Sequence, residues 1–87
     1  MATLTRGEVV ARLVAAGVRR DQATLYADAF CEFHEAAGNI TTHGAIVQHP
    51  RTANPIENPY LRVRDAAAKR LAAFSGRTAI EGAKLWP

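Results

Sequence analysis

Gln22-Ala23-Thr24-Leu25-Tyr26-Ala27-Asp28-Ala29-Phe30-Cys31-Glu32-Phe33-His34-Glu35-Ala36-Ala37 is the stretch that decides the fold. Leu25, Tyr26, Ala29, Phe30, Phe33, Ala36 and Ala37 recur in steps of three and four, which brings them to one face of an α-helix. Asp28, Glu32 and Glu35 fall opposite, with Cys31 and His34 between the two faces. The spacing predicts an amphipathic helix over about 22–37, with Asp21 at its N-cap and Gly38 as the residue that stops it.

Upstream, Thr5 and Glu8 have the spacing of a capping box, and Gly17 is a natural stop, so a shorter helix is expected over 6–16. Val9, Val10, Leu13 and Val14 form its stripe. Downstream, the helical period breaks over 39–58. Ile40-Thr41-Thr42-His43-Gly44-Ala45-Ile46-Val47 places β-branched residues around a glycine, which reads as a short hairpin or an extended loop. Pro50, Pro55 and Pro59 follow, with Asn54 and Asn58. Asn58-Pro59 then opens a second long helix, the Asn as cap and the Pro at the first helical position. It should run to about Phe74 and stop before Gly76, with Tyr60, Val63, Ala67, Leu71 and Phe74 as its stripe. Asp65 and Lys69 are spaced to pair along it. Thr78 and Glu81 make a second capping-box pattern, for a tail helix within 77–87 that ends at Leu85-Trp86-Pro87. The expected fold is all-α, a single small domain over 1–87. Two long antiparallel helices, joined by a short β-like hairpin or loop, carry short N-terminal and C-terminal helices.

Length and composition bear on stability. Eighty-seven residues bury only about 60% of the surface that the unfolded chain exposes. The hydrophobic share is 48%, but 18 of those residues are Ala, which favours helix and brings little apolar area. A single Cys excludes an internal disulfide. Self-association is the remaining route to a stable core. The net charge of +3 is uneven. Residues 1–50 hold four bases against five acids, and residues 51–87 hold seven bases against three acids. The basic half suits nucleic acid or an acidic partner. No apolar run is long enough to span a membrane, and the N-terminus lacks the pattern of a signal peptide, so no membrane partner is expected and the expected location is cytoplasmic.

Catalytic patterns are missing. The sequence has no Gly-rich phosphate loop and no paired-Cys metal site, and its one Ser, Ser75, sits in no nucleophile elbow. Cys31, His34, His43 and His49 match no standard zinc spacing, so neither metal nor cofactor is expected, and no enzyme. Three features each admit more than one reading. The first two helices form either a helix-turn-helix, acting as a dimeric DNA-binding regulator, or a helical hairpin that packs Leu13 against Phe30. Asp28, Glu32 and Glu35 would face phosphates in the first case, and like charge repels the duplex. Arg62, Arg64, Lys69 and Arg70, with Arg51 in the loop, either form a solvated face or contact phosphates. Pairing of this basic helix with the acidic face of a neighbouring subunit is a further option. Trp86 either folds back on its own domain or anchors another protein.

The order of motifs resembles the small subunit of the terminase of long-tailed phages. The resemblance is carried by Tyr26-Ala27-Asp28-Ala29-Phe30, Ala36-Ala37-Gly38-Asn39-Ile40, Gly44-Ala45-Ile46-Val47 and Asn58-Pro59-Tyr60-Leu61-Arg62-Val63-Arg64-Asp65-Ala66. It covers about residues 22–75, and the segment starting at Asn58-Pro59 is its most specific part. It implies a non-enzymatic partner of a packaging motor that forms a homo-oligomeric ring, binds viral DNA and modulates a large ATPase–nuclease subunit in the bacterial host cell. By that match Tyr26, Phe30, Phe33, Leu61, Val63 and Leu71 would be oligomer-packing residues. Ile80, Leu85 and Trp86 of the tail would contact the large subunit. The chain departs from the family in having only about twenty residues before the first long helix, too few for a separate DNA-binding domain. Weak, largely non-specific binding to double-stranded DNA is therefore expected, and a gene transfer agent that packages host DNA would need no more.

Overall fold

The structure, a computed structural model, describes residues 4–74 and 76–86. The chain runs α1 (Arg6–Ala15), α2 (Arg20–His43), β1 (Ile46–Gln48), β2 (Pro55–Glu57), α3 (Tyr60–Ala72) and α4 (Thr78–Gly82). It is mostly helical, and the two long helices pack against each other, as expected. A small antiparallel hairpin joins them, pairing Ile46 with Glu57, Val47 with Ile56 and Gln48 with Pro55. The molecule is elongated, 49 × 25 × 20 Å.

Helix α1 starts where the capping-box spacing predicts. The Glu8 amide donates to Thr5 Oγ1 at 3.2 Å, and the hydroxyl donates to Glu8 Oε1 at 3.1 Å. The start of α3 also follows the sequence signal. Pro59 has helical backbone angles, and Asn58 Oδ1 accepts from the Tyr60 amide at 3.0 Å. Asn58 is itself buried, because its amide also donates to Asn39 Oδ1 at 3.0 Å and to the Gly44 carbonyl at 2.9 Å. One side chain thus caps α3 and ties its start to the end of α2.

Helix α2 differs from expectation at both ends. It begins at Arg20, with Arg19 and not Asp21 at the N-cap position. It continues through Gly38 to His43 and ends at Gly44, whose φ of 86° is open to glycine and costly for other residues. A helix-interior glycine costs only about 1 kcal/mol relative to alanine, and the Asn39–Asn58 bond and the packing of α3 outweigh that. The hairpin accordingly lies further along than Ile40–Val47. Its turn is the loop 49–54 and not Gly44. The tail helix is short, and Thr78 is its first residue with no side-chain cap bond, so no second capping box forms. The expected ending of the tail at Pro87 lies outside the described residues.

The bulky core sits at one end. Val9, Val10, Leu13, Ala23, Tyr26, Ala27, Phe30, Ile80 and Leu85 form one buried cluster from α1, the first half of α2 and the tail. Leu13 and Phe30 share it, as the helical-hairpin reading expects. The rest is an arm of α2, the hairpin and α3. The arm is bracketed by the Asn58–Asn39 bond and by an ion pair between Arg70 and Glu32. Between those brackets the buried residues of the two helices are Ala36 and Ala67, with no large side chain fully covered.

Candidate functional site

The arm carries five of the eleven basic residues. Arg51 sits on the exposed loop 49–54, which His49 closes. The His49 amide donates to the Asn54 carbonyl, its own carbonyl accepts from the Ala53 amide, and Nδ1 accepts from the Arg51 amide at 3.1 Å and the Thr52 amide at 3.4 Å. Arg62 and Lys69 are exposed on α3 and make no ion pair among the described residues. Arg64 is drawn to its neighbour Asp65 at 3.4 Å, in place of the Asp65–Lys69 pair that the spacing suggested. Arg70 pairs with Glu32 within one chain, so this contact between the basic helix and the acidic face of α2 is made inside the chain. Asp28 is likewise engaged by Arg6 of α1. Neither long-range pair has a sequence signal, because each joins residues more than twenty positions apart.

The apolar residues divide into two groups. Tyr26 and Phe30 lie in the chain's own core, while Phe33, Leu61 and Leu71 are half-buried. Val63 remains 41% exposed. Leu25, part of the expected stripe of α2, is 57% exposed and takes no part in the core. Ile46 on the hairpin is 63% exposed. The long-helix unit therefore presents Leu25, Ile46 and Val63 to solvent, with Phe33 and Leu61 partly uncovered.

The tail docks on its own chain. Ile80 and Leu85 are buried in the core. Trp86 keeps 42% of its surface exposed, but its indole N–H donates to the Tyr26 hydroxyl at 2.8 Å. Its ring lies 4.8 Å from Phe30, 5.7 Å from Phe33 and 4.9 Å from His34, centroid to centroid. Of the three tail residues expected to touch a partner, Trp86 alone keeps a free face. A groove of about 630 Å³ runs beside it, with Leu71, Phe74 and Lys84 among its lining residues.

Two titratable groups near this end, Cys31 and His34, are shifted toward their uncharged forms. Burial pushes the Cys31 thiol up, and Asp28 adds to the shift, so Cys31 is not an activated nucleophile. Burial lowers the His34 pKa, and its Nε2 is buried with no hydrogen-bond partner among the described residues. No three His, Cys, Asp or Glu residues come together as a metal site among the described residues. No helix among them is long and apolar enough to cross a membrane. Two arginines that the sequence reading did not single out, Arg19 and Arg77, meet in a notch at the far end from the hairpin.

A family model described as phage terminase, small subunit, matches residues 6–79. No curated protein and no solved structure matches the chain.

Proposed function

Because the chain belongs to the phage terminase small-subunit family, with the DNA-packaging role that membership carries, we propose that it is a non-enzymatic adaptor that assembles into a homo-oligomeric ring through its helical arm. The observation that carries this reading is the uneven packing. The arm buries only alanines between its two brackets and leaves Ile46 and Val63 open. A second copy laid along the arm would cover those side chains and supply the apolar area that a chain this short lacks.

Arg51, Arg62, Arg64, Lys69 and Arg70 contact duplex DNA through phosphates. Arg51, Arg62 and Lys69 make no ion pair among the described residues, and the ion pairs of Arg64 and Arg70 moderate their share. Binding should be weak, on the order of 10⁻⁴–10⁻⁶ M at physiological salt, fall steeply as salt rises and show little sequence preference. The exposed face of Trp86 and the groove beside it form the seat for the large ATPase–nuclease. A packaging role for a phage or for a gene transfer agent draws on the same surfaces. The dimeric regulator reading is disfavoured, since Asp28 and Glu32 lie on the helix that would have to enter the groove. Co-purification of the chain with the large subunit, and loss of that association in a Trp86→Ala variant whose oligomer is intact, tests the adaptor role. A chain that never associates with an ATPase–nuclease, or a Trp86→Ala variant that associates as wild type does, would refute the anchor.

A further inference from the structure

The core end of the molecule carries a basic concavity formed by segments far apart in sequence. Gly17 and Val18 of the α1–α2 turn, Arg19 and Gln22 of α2, and Arg77, Ala79 and Ile80 of the tail line a notch of about 380 Å³. Its charged lining residues are Arg19 and Arg77, and no carboxylate lines it. Arg20 follows Arg19 and is also exposed. Arg77 is held in place, because its guanidinium lies 5.3 Å from the centroid of the Phe74 ring, and it makes no ion pair among the described residues. Arg19 has only a loose contact with Asp21, at 3.5 Å and with both side chains exposed. Two guanidiniums sharing a notch with a side-chain amide, with one of them pre-set against an aromatic ring, suit a tetrahedral oxyanion, since the planar fork of arginine matches phosphate oxygens.

We infer that the Arg19–Arg77 notch binds a backbone phosphate of duplex DNA, as a contact separate from the arm. This rests on the DNA-binding part of the proposed function. It adds a contact beyond the other end of α2, a helix of 24 residues that spans about 36 Å. A chain gripping DNA at both ends would lie along the duplex, and copies in an assembly would present two rows of phosphate contacts. The notch also couples the tail to DNA, because Arg77 precedes α4, whose Ile80 is in the core.

The test is a salt series of duplex binding by fluorescence anisotropy on the full chain. It compares wild type with Arg19→Gln/Arg77→Gln and with Arg62→Gln/Lys69→Gln. The notch variant should weaken binding several-fold and lower the slope of log K against log salt by about 2, one for each arginine that no longer neutralises a phosphate. Arg77→Lys should keep the salt slope but recover only part of the affinity, since it restores the charge without the planar fork that stacks on Phe74. Inorganic phosphate at millimolar concentration and matched ionic strength should not displace the duplex, since one free anion lacks the neighbouring contacts. Wild-type slope and affinity in the notch variant, with the arm variant impaired, would overturn the notch and leave the DNA-binding reading standing. Absence of duplex binding by wild type at low salt would overturn both. Displacement by free phosphate would overturn the assignment to the DNA backbone.

Discussion

The Trp86 indole N–H donates to the Tyr26 hydroxyl at 2.8 Å across 60 positions of sequence, and Phe30 packs against the same indole. A helix as short as α4 is not stable alone in water. Tail order therefore depends on Ile80, Leu85 and this one aromatic latch. Trp86→Ala should lower unfolding free energy by about 2 kcal/mol, combining one hydrogen bond with one aromatic contact. Tyr26→Phe should lower it by about 1 kcal/mol, since water can reach the half-exposed indole. Urea melts at fixed protomer concentration measure both. Unchanged midpoints would mean that the tail is not docked in solution.

Core and arm should respond oppositely to mutation. Phe30 is 2% exposed, and Phe30→Ala should cost about 3–5 kcal/mol. Val63→Asp should leave the helical signal of the isolated chain in place and shift the assembly to smaller species, as read by sedimentation velocity. If Val63→Asp sediments as wild type does, the arm face that includes Val63 is not the interface.

Two glycines of α2 should also diverge. Gly38 is inside the helix with open space where a Cβ would sit, so Gly38→Ala should stabilise by about 0.5–1 kcal/mol. Gly44 ends the helix at φ 86° and ψ 172°, where an L residue is strained, so Gly44→Ala should destabilise by about 1–3 kcal/mol. Thermal melts decide this. A destabilising Gly38→Ala would put the end of α2 back at residue 38.

His34 predicts a pH dependence. Its folded pKa lies below its ordinary 6.5 because burial disfavours the charged ring. The unfolded chain therefore takes up a proton that the folded chain refuses. Stability is full above the unfolded value and falls as pH drops from about 6.5 toward the folded pKa. His34→Phe should flatten that part of the profile. Equal slopes for wild type and variant below pH 6.5 would contradict the burial of His34.

Much of the fold is legible in the sequence where local chemistry sets it. Thr5 with Glu8 starts α1, and Asn58-Pro59 starts α3, because a cap is a bond between near neighbours. The end of α2 is not legible in this way, because a local stop signal at Gly38 is weak beside the packing of α3 and the Asn39–Asn58 bond. Leu25 has the spacing of a core residue and lies in solvent, because helical spacing tells which residues share a stripe and not how much of it a neighbour covers. The docked tail, the Arg70–Glu32 pair and the Arg19–Arg77 notch join residues far apart in the chain, so nothing local announces them. Charge alone marks the candidate DNA residues, but which of them a partner neutralises is visible only in the fold.

The most direct test of a self-assembling packaging subunit is the mass of the full chain by light scattering over a dilution series at micromolar concentration. A closed species several times the 9.4 kDa of one chain is expected, with thermal stability that falls as the species dissociates. A 9.4 kDa species whose stability is indifferent to dilution would contradict it.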